Sequence, residues 1–408
     1  MHQLDLPKFY STMLRTSFLI VSIFLGIKLQ AQELLKVRLY SNQEVKRALV
    51  TTDSVDFVLL ALNKDQEVLD TIHDAYADDP ARSFIISRKG SGLQLKKGDE
   101  DLGVYQALSF HGLDTLQRFR ILANRKERAY YGDLIFKPEN KGIYAINQVD
   151  LELYVAGVVE SEAGHVPELE FFKAQAVLAR TFAIRNINKH AKEGYNLKDD
   201  VSSQVYHSMA HYTHKDLIER AVAETRDSIV IRHDCRPILG VFHANSGGET
   251  VNSEDVWFQS IDQLRSIPDS FSVGVGSYNW EKKIKAEKFY SYFARMFGIK
   301  NDLELQKALL NLNREGREAY FKYKGKSLKL TKVRSDFRLR STYFKVEPEG
   351  EEIVLKGFGF GHGVGMAQDG AIAMSGKGYS YKSILKHYYQ DIEFDSLSGS
   401  RESLDFKD

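Results

Sequence analysis

DLELYVAGVVESEAG, residues 150–164, is the stretch from which the rest of the chain is best read. Leu151, Tyr154, Val155, Val158, Val159 and Glu162 fall at i, i+3, i+4, i+7, i+8 and i+11. That spacing puts all of them on one face of a helix. Asp150 stands where its carboxylate can cap the first turn. The stripe asks for another apolar residue at its last position and finds Glu162. A carboxylate there is partly desolvated, which raises its pKa toward the range of a general acid. Glu160 falls on another side and is expected in solvent. If the helix stops near Glu160, Glu162 is an ordinary loop residue, and spacing alone does not decide between the two.

Downstream, a second helix is predicted from near Pro167 past Arg185, with Leu169, Phe172, Ala176, Ala179 and Ala183 on its apolar face. Lys173 and Arg180, seven residues apart, share another face, and Gln175 can reach the same groove from its edge. Two cations there could hold a carboxylate or acidic sugar substituents. The competing reading is a solvated basic stripe. Further on, Ile229–Ile231 and Ile238–Phe242 read as a hairpin around Cys235, residues 286–313 as helical, and 319–346 as strands. A helix closes the pattern around Tyr381 to Tyr389. Upstream, Val37–Tyr40, Val55–Leu60 and Ser83–Ile86 are short β-rich runs, with turn signals at 89–92 and 97–100. Strands and helices do not alternate regularly, so the fold class is α+β. The expected division is a small β-rich accessory module at 32–135, a domain of mixed strands and helices with a groove at 136–395, and a tail at 396–408.

Residues 1–31 read as an export signal. Lys8 and Arg15 precede the apolar run Phe18–Ile27, and Ala31 is a small residue suited to cleavage. The run is shorter than the roughly 20 apolar residues of a comfortable membrane span. An uncleaved N-terminal anchor is the other reading, and either directs the chain to the periplasm or cell envelope. The 408 residues carry a net charge of +1, which argues against a nucleic-acid binder. With 43% hydrophobic and 27% charged residues, the composition is that of a globular protein. Cys235 is the only cysteine, so no intrachain disulfide forms, and a small buried residue near a strand is expected.

GFGHGVGMAQDGA, residues 359–371, interleaves glycines with His362 and Gln368. Such backbone allows tight turns and close approach of a ligand, or serves as a purely structural loop. His362 could move a proton, orient a sugar or bind metal. Ser246, in Asn245–Gly248, lacks the frame of a serine nucleophile and reads as a polar turn that offers donors to a ligand, or as a plain hairpin turn. His207, His211 and His214 have metal-capable spacing, but surface histidines are the expectation, and no metal or other cofactor is predicted. Trp257, Phe258, Tyr206 and Trp280 could stack on sugars, or each could belong to the core.

These segments, in this order, resemble the stage II sporulation protein D family (SpoIID/LytB) from about Tyr131 to Asp391. The matching stretches are DLELYVAGVVESEAG, FKAQAVLARTFAI (172–184), SSQVYHSM (202–209), FHANSGGET (242–250), DVWF (255–258), GFGHGVGMAQDGA and GYSYKSILKHYYQD (378–391). The resemblance implies a peptidoglycan lytic transglycosylase with Glu162 as its acid/base, or alternatively a non-catalytic, peptidoglycan-binding enhancer of a wall amidase. It implies substrate contacts from Lys173, Arg180, Gln204, Tyr206, Ser246, His362 and Gln368. The partners implied are peptidoglycan glycan strands and a cell-wall amidase. Two positions depart from the family's pattern: Ala163-Gly164 stands where Met-Pro is frequent, and Ser203 precedes Gln204 where some members have a zinc-binding cysteine.

Overall fold

The computed structural model describes residues 34–52, 57–73, 83–114, 116–163, 166–207, 214–257, 259–300, 302–314 and 316–397. The export segment at 1–31, His211, Phe258 and most of the tail lie outside them. The described part is α+β. None of its helices is long and apolar enough to cross a membrane.

The described part opens with twelve strands: β1 (Leu34–Leu39), β2 (Arg47–Thr52), β3 (Phe57–Leu62), β4 (Val68–His73), β5 (Ser83–Lys89), β6 (Gly92–Lys97), β7 (Glu100–Tyr105), β8 (Ala107–Gly112), β9 (Arg118–Ala123), β10 (Lys126–Tyr131), β11 (Asp133–Glu139) and β12 (Gly142–Asp150). One sheet runs β1-β12-β11-β8-β3-β4 and the other β10-β9-β2-β5-β6-β7. In β1, Leu35, Val37 and Leu39 are buried while their neighbours are not, the period-2 pattern of a half-buried strand. Phe57 and Phe110 of the first sheet meet Phe84 and Phe119 of the second, with ring centroids 5.5–6.0 Å apart. This aromatic cluster joins the sheets. The expected boundary at 135/136 falls inside β11, which pairs with both β8 and β12. The β region therefore runs to Asp150, because β11 and β12 complete its sheet.

Next come α1 (Leu151–Ala163), α2 (Leu169–Arg185), β13 (Leu197–Lys198), α3 (Lys215–Glu224), β14 (Ser228–Ile231), β15 (Phe242–His243) and α4 (Ser253–Val256). β13 pairs parallel with β1, which ties the helices back to the first sheet. Then follow β16 (Asn279–Lys285), α5 (Ala286–Phe297), α6 (Leu303–Leu310), β17 (Tyr320–Tyr323), β18 (Lys326–Lys329), α7 (Leu330–Asp336), β19 (Tyr343–Glu349) and β20 (Glu352–Phe358). These build a core of their own around Phe289, Phe293, Leu309, Val333, Phe344 and Leu355. Residues 279–358 thus form an inserted module, with a core of its own, within the span 136–395 expected as one domain. Strands were expected over 319–346, but α7 is helical there, since a short apolar run does not separate the two periods.

The described part ends with β21 (Met366–Ala367), α8 (Gln368–Gly376), α9 (Tyr381–Tyr388) and β22 (Glu393–Ser396). β15 pairs parallel with β21, and β14 antiparallel with β22. Cys235 is exposed at φ +61° in the turn after β14, not buried as expected.

Candidate active site

Glu162 lies in the last turn of α1, half-buried. The helix starts as its sequence predicts: Asp150 Oδ1 accepts the N–H groups of Glu152 (2.8 Å) and Leu153 (3.2 Å). Leu151, Tyr154, Val155, Val158 and Val159 are all buried. Glu160 is half-buried, not solvated as expected, because α1 is packed on most sides.

Two segments close on Glu162. The Val205 N–H donates to its Oε1 at 3.0 Å, and Gln368 Nε2 donates to its backbone carbonyl at 3.2 Å. Burial raises the Glu162 pKa, and the Val205 N–H offsets part of that rise. Ser161 Oγ donates to the Gly157 carbonyl (2.7 Å) and accepts the His207 N–H (3.1 Å). These bonds fix residues 205–207 against the helix end.

Tyr206 and Gln204 hold that segment from beneath. Tyr206 is fully buried between Tyr130 and Tyr154, with centroids 5.4 and 4.9 Å away. Its hydroxyl donates to Asn147 Oδ1 at 2.9 Å, and Tyr154 Oη donates to Gln204 Oε1 at 3.2 Å. Expected as substrate contacts, both residues are buried and act instead on the backbone that presents the Val205 N–H.

The α2 residues depart further from expectation. Arg180 is fully buried, with Nε 2.8 Å and Nη2 2.6 Å from the Glu152 carboxylate and Nη1 2.9 Å from the Ser228 carbonyl. It is an internal strut, since nothing of it reaches a surface groove. Lys173 is half-buried between Glu170 and Glu224, each 2.6 Å away. Its charge is already neutralised twice. Gln175 is fully buried, and neither of its amide atoms has a partner among the described residues. These three therefore do not form the expected groove face with Glu162.

Ser246 is also fully buried. Its hydroxyl donates to Asp269 Oδ2 at 2.8 Å and accepts the Gly248 N–H at 3.1 Å, so it builds the turn and presents nothing to a ligand. The glycine loop serves close packing with the protein itself. Gly359 (φ +77°) and Gly365 (φ +70°) would place a Cβ 2.6 Å from the Asn245 carbonyl oxygen and 2.1 Å from that of Val241. His362 accepts the Val364 N–H on Nδ1 at 3.0 Å and lies 5.4 Å, ring to ring, from both His243 and Trp257. Burial brings its pKa down to about 4, so it is neutral. Of the expected stacking residues that are described, Trp257 alone is placed beside His362. Trp280 is buried in the inserted module against Phe344.

Glu152 and Asp269 are buried acids that sequence reading passed over. Glu152 stands beside the apolar stripe of α1, and Arg180 among the apolar residues Ala176, Val177, Leu178 and Ala179 of α2, and that shared oddity was a usable signal. Asp269 accepts bonds from Ser246, Ser272 and Tyr388 and carries no sequence pattern at all. Among the described residues, no group of three or more His, Cys, Asp or Glu is placed to hold a metal.

The stage II sporulation protein family matches residues 139–231. The chain is 32% identical over 263 residues to stage II sporulation protein D of Bacillus subtilis, covering 61% of this chain and 75% of that protein. It is 31% identical to the protein of the same name from Bacillus amyloliquefaciens, with the same coverage. A Bacillus subtilis amidase enhancer is 27% identical over 287 residues, covering 57% of this chain and 39% of that longer protein.

Proposed function

The chain belongs to the stage II sporulation protein (SpoIID) family, and from that premise we propose that it cleaves peptidoglycan glycan strands as a lytic transglycosylase with Glu162 as acid and base. The proposed place of action is the periplasm or cell envelope, where the substrate lies. Family membership and similarity to an amidase enhancer support a cell-wall role. The observation that carries the catalytic reading is a half-buried carboxylate with a raised pKa, one oxygen of which is fixed by the Val205 N–H.

Glycosidases with paired carboxylates need a second acid across the scissile bond. No charged neighbour among the described residues contributes to the Glu162 shift. One carboxylate suffices when the substrate supplies the nucleophile. Protonated Glu162 gives its proton to the glycosidic oxygen as the C1–O bond breaks. The C6 hydroxyl of the same N-acetylmuramic acid attacks C1 and returns its proton to Glu162. Effective molarity replaces a protein nucleophile, and no cofactor is required. Mass spectrometry of glycan digests tests this: 1,6-anhydro ends are expected, and ordinary reducing ends alone would overturn the reading.

The sign of the pH dependence follows. The first step needs the protonated acid, and the fold favours that form. Cleavage should fall as pH rises through the Glu162 pKa, with the descending limb above the ordinary glutamate value of about 4.3. A pH–rate profile checks this.

A second reading, a non-catalytic peptidoglycan-binding enhancer of a wall amidase, is favoured by the similarity to the amidase enhancer. Under it, Glu162→Gln stimulates a purified wall amidase as well as wild type does.

A further inference from the structure

The β region holds a cleft of about 700 Å³ that the site above does not use. It is lined from both sheets: by Lys64 in the turn between β3 and β4, Lys89 at the end of β5, Val104 and Tyr105 of β7, and Lys137 and Pro138 of β11. That volume falls within the range of small-ligand sites, roughly 300–1,000 Å³. Three of the lining side chains are lysines and none is acidic. Lys137 pairs with Tyr144 near the turn of the β11–β12 hairpin, whereas the other end of β12 leads through Asp150 into α1 and Glu162. The cleft is therefore a place apart from Glu162, joined to it by one continuous strand and helix.

The lysines are short of partners. Lys137 is half-buried, and its Nζ makes no hydrogen bond or ion pair among the described residues. A Cβ added at Gly194 would lie 3.4 Å from Lys137 Nζ and 3.8 Å from Gln66 Nε2. On the other side of that amide, Lys36 Nζ donates to Gln66 Oε1 at 2.7 Å. A second half-buried ammonium thus stands behind the first, held by a neutral group. Burial, and then the Lys36 charge, hold the Lys137 pKa below the ordinary lysine value. The acid that bears on Lys137, Asp65, is exposed and has the weaker effect. Lys64 forms no ion pair among the described residues either. Lys89 meets Asp101 at 3.7 Å with both side chains about half exposed, where such pairs contribute little. The cleft therefore gathers positive charge that the described residues leave largely unneutralised.

An ammonium on a flexible stem accepts a carboxylate in many orientations. Val104, Tyr105 and Pro138 give the cleft an apolar wall suited to the C–H face of a sugar ring. The Tyr105 ring is fixed, since its Oη donates to the Leu102 carbonyl at 2.6 Å. We propose that Lys64, Lys89 and Lys137 form a second, non-catalytic site that holds a carboxylate of the glycan strand away from Glu162. This rests on the glycan reading above. The lactyl group of a peptide-free sugar and the carboxylates of a peptide stem share this chemistry. A strand long enough to occupy both sites is presented to Glu162 at a raised effective concentration.

Equilibrium binding tests this. The full chain carrying Glu162→Gln, which holds strands without cutting them, is titrated with peptide-free strands, the same strands with lactyl carboxylates reduced to alcohols, and strands bearing peptide stems. Adding Lys64→Gln and Lys137→Gln together should weaken binding of a carboxylate-bearing strand about tenfold or more, the scale of a charge-assisted hydrogen bond. Binding of reduced, peptide-free strands should not change, and arginine at both positions should recover part of the loss. Lys64→Gln alone, at an exposed position, should show a smaller loss of the same kind. Lys288→Gln with Lys307→Gln, two exposed lysines of the inserted module, should leave all binding as it was. Loss on peptide-free strands assigns the lactyl group; loss only on stem-bearing strands assigns the stem. Equal loss on reduced strands, equal loss from the Lys288 and Lys307 substitutions, or no loss anywhere overturns the second site while leaving glycan binding in place. If the protein with its lysines intact binds none of the strands, the glycan reading falls and the second site with it.

Discussion

Glu162→Gln is expected to lower the release of 1,6-anhydro products by about 10²–10⁴-fold, the usual contribution of a positioned general acid or base. Glutamine keeps the volume and can accept the Val205 N–H through its amide oxygen, so residues 204–207 should stay in place. It cannot deliver a proton to the glycosidic oxygen or take one from the C6 hydroxyl. The thermal midpoint should stay level or rise at neutral pH. The fold favours the protonated form of Glu162, so ionised Glu162 weighs against stability once the pH exceeds its pKa. A neutral amide removes that term. Loss of cleavage with an unchanged or higher Tm identifies a chemical role. Loss of both points to a structural one, and undiminished cleavage removes Glu162 from the mechanism.

That residue was visible in the sequence for a local reason. A helix repeats every few residues, so one carboxylate at the end of an apolar stripe stands out without knowledge of its neighbours. Asp150 as a cap and the start of α1 at Leu151 were legible on the same grounds, whereas its end past Glu162 was not. What the spacing could not show is what lies opposite each face. Lys173 and Arg180 look alike as exposed cations, but Arg180 meets Glu152 from α1, 28 positions earlier. Tyr206 reads as a sugar-stacking ring until Tyr130 and Tyr154 enclose it. The extent of the β region was hidden because β12 pairs with β1, more than a hundred residues upstream.

The buried pair gives the other large effect. Arg180→Met is expected to destabilise the fold by about 3–5 kcal/mol, the cost of leaving a buried charge without its partner. The Glu152 carboxylate would lose two donors and the Ser228 carbonyl one. Adding Glu152→Leu should recover most of the loss, because an apolar pair of similar volume removes the stranded charge along with the bond. Urea unfolding of the two single variants and the double variant measures this coupling. If Arg180 instead grips substrate, the double variant would fold well and bind glycan poorly. The geometry favours the opposite outcome, with glycan binding recovering alongside stability. The pair lies between α1 and α2, and α1 carries Glu162 at its far end. Arg180 would then serve catalysis only by keeping α1 in register, an effect that vanishes once the core is repacked.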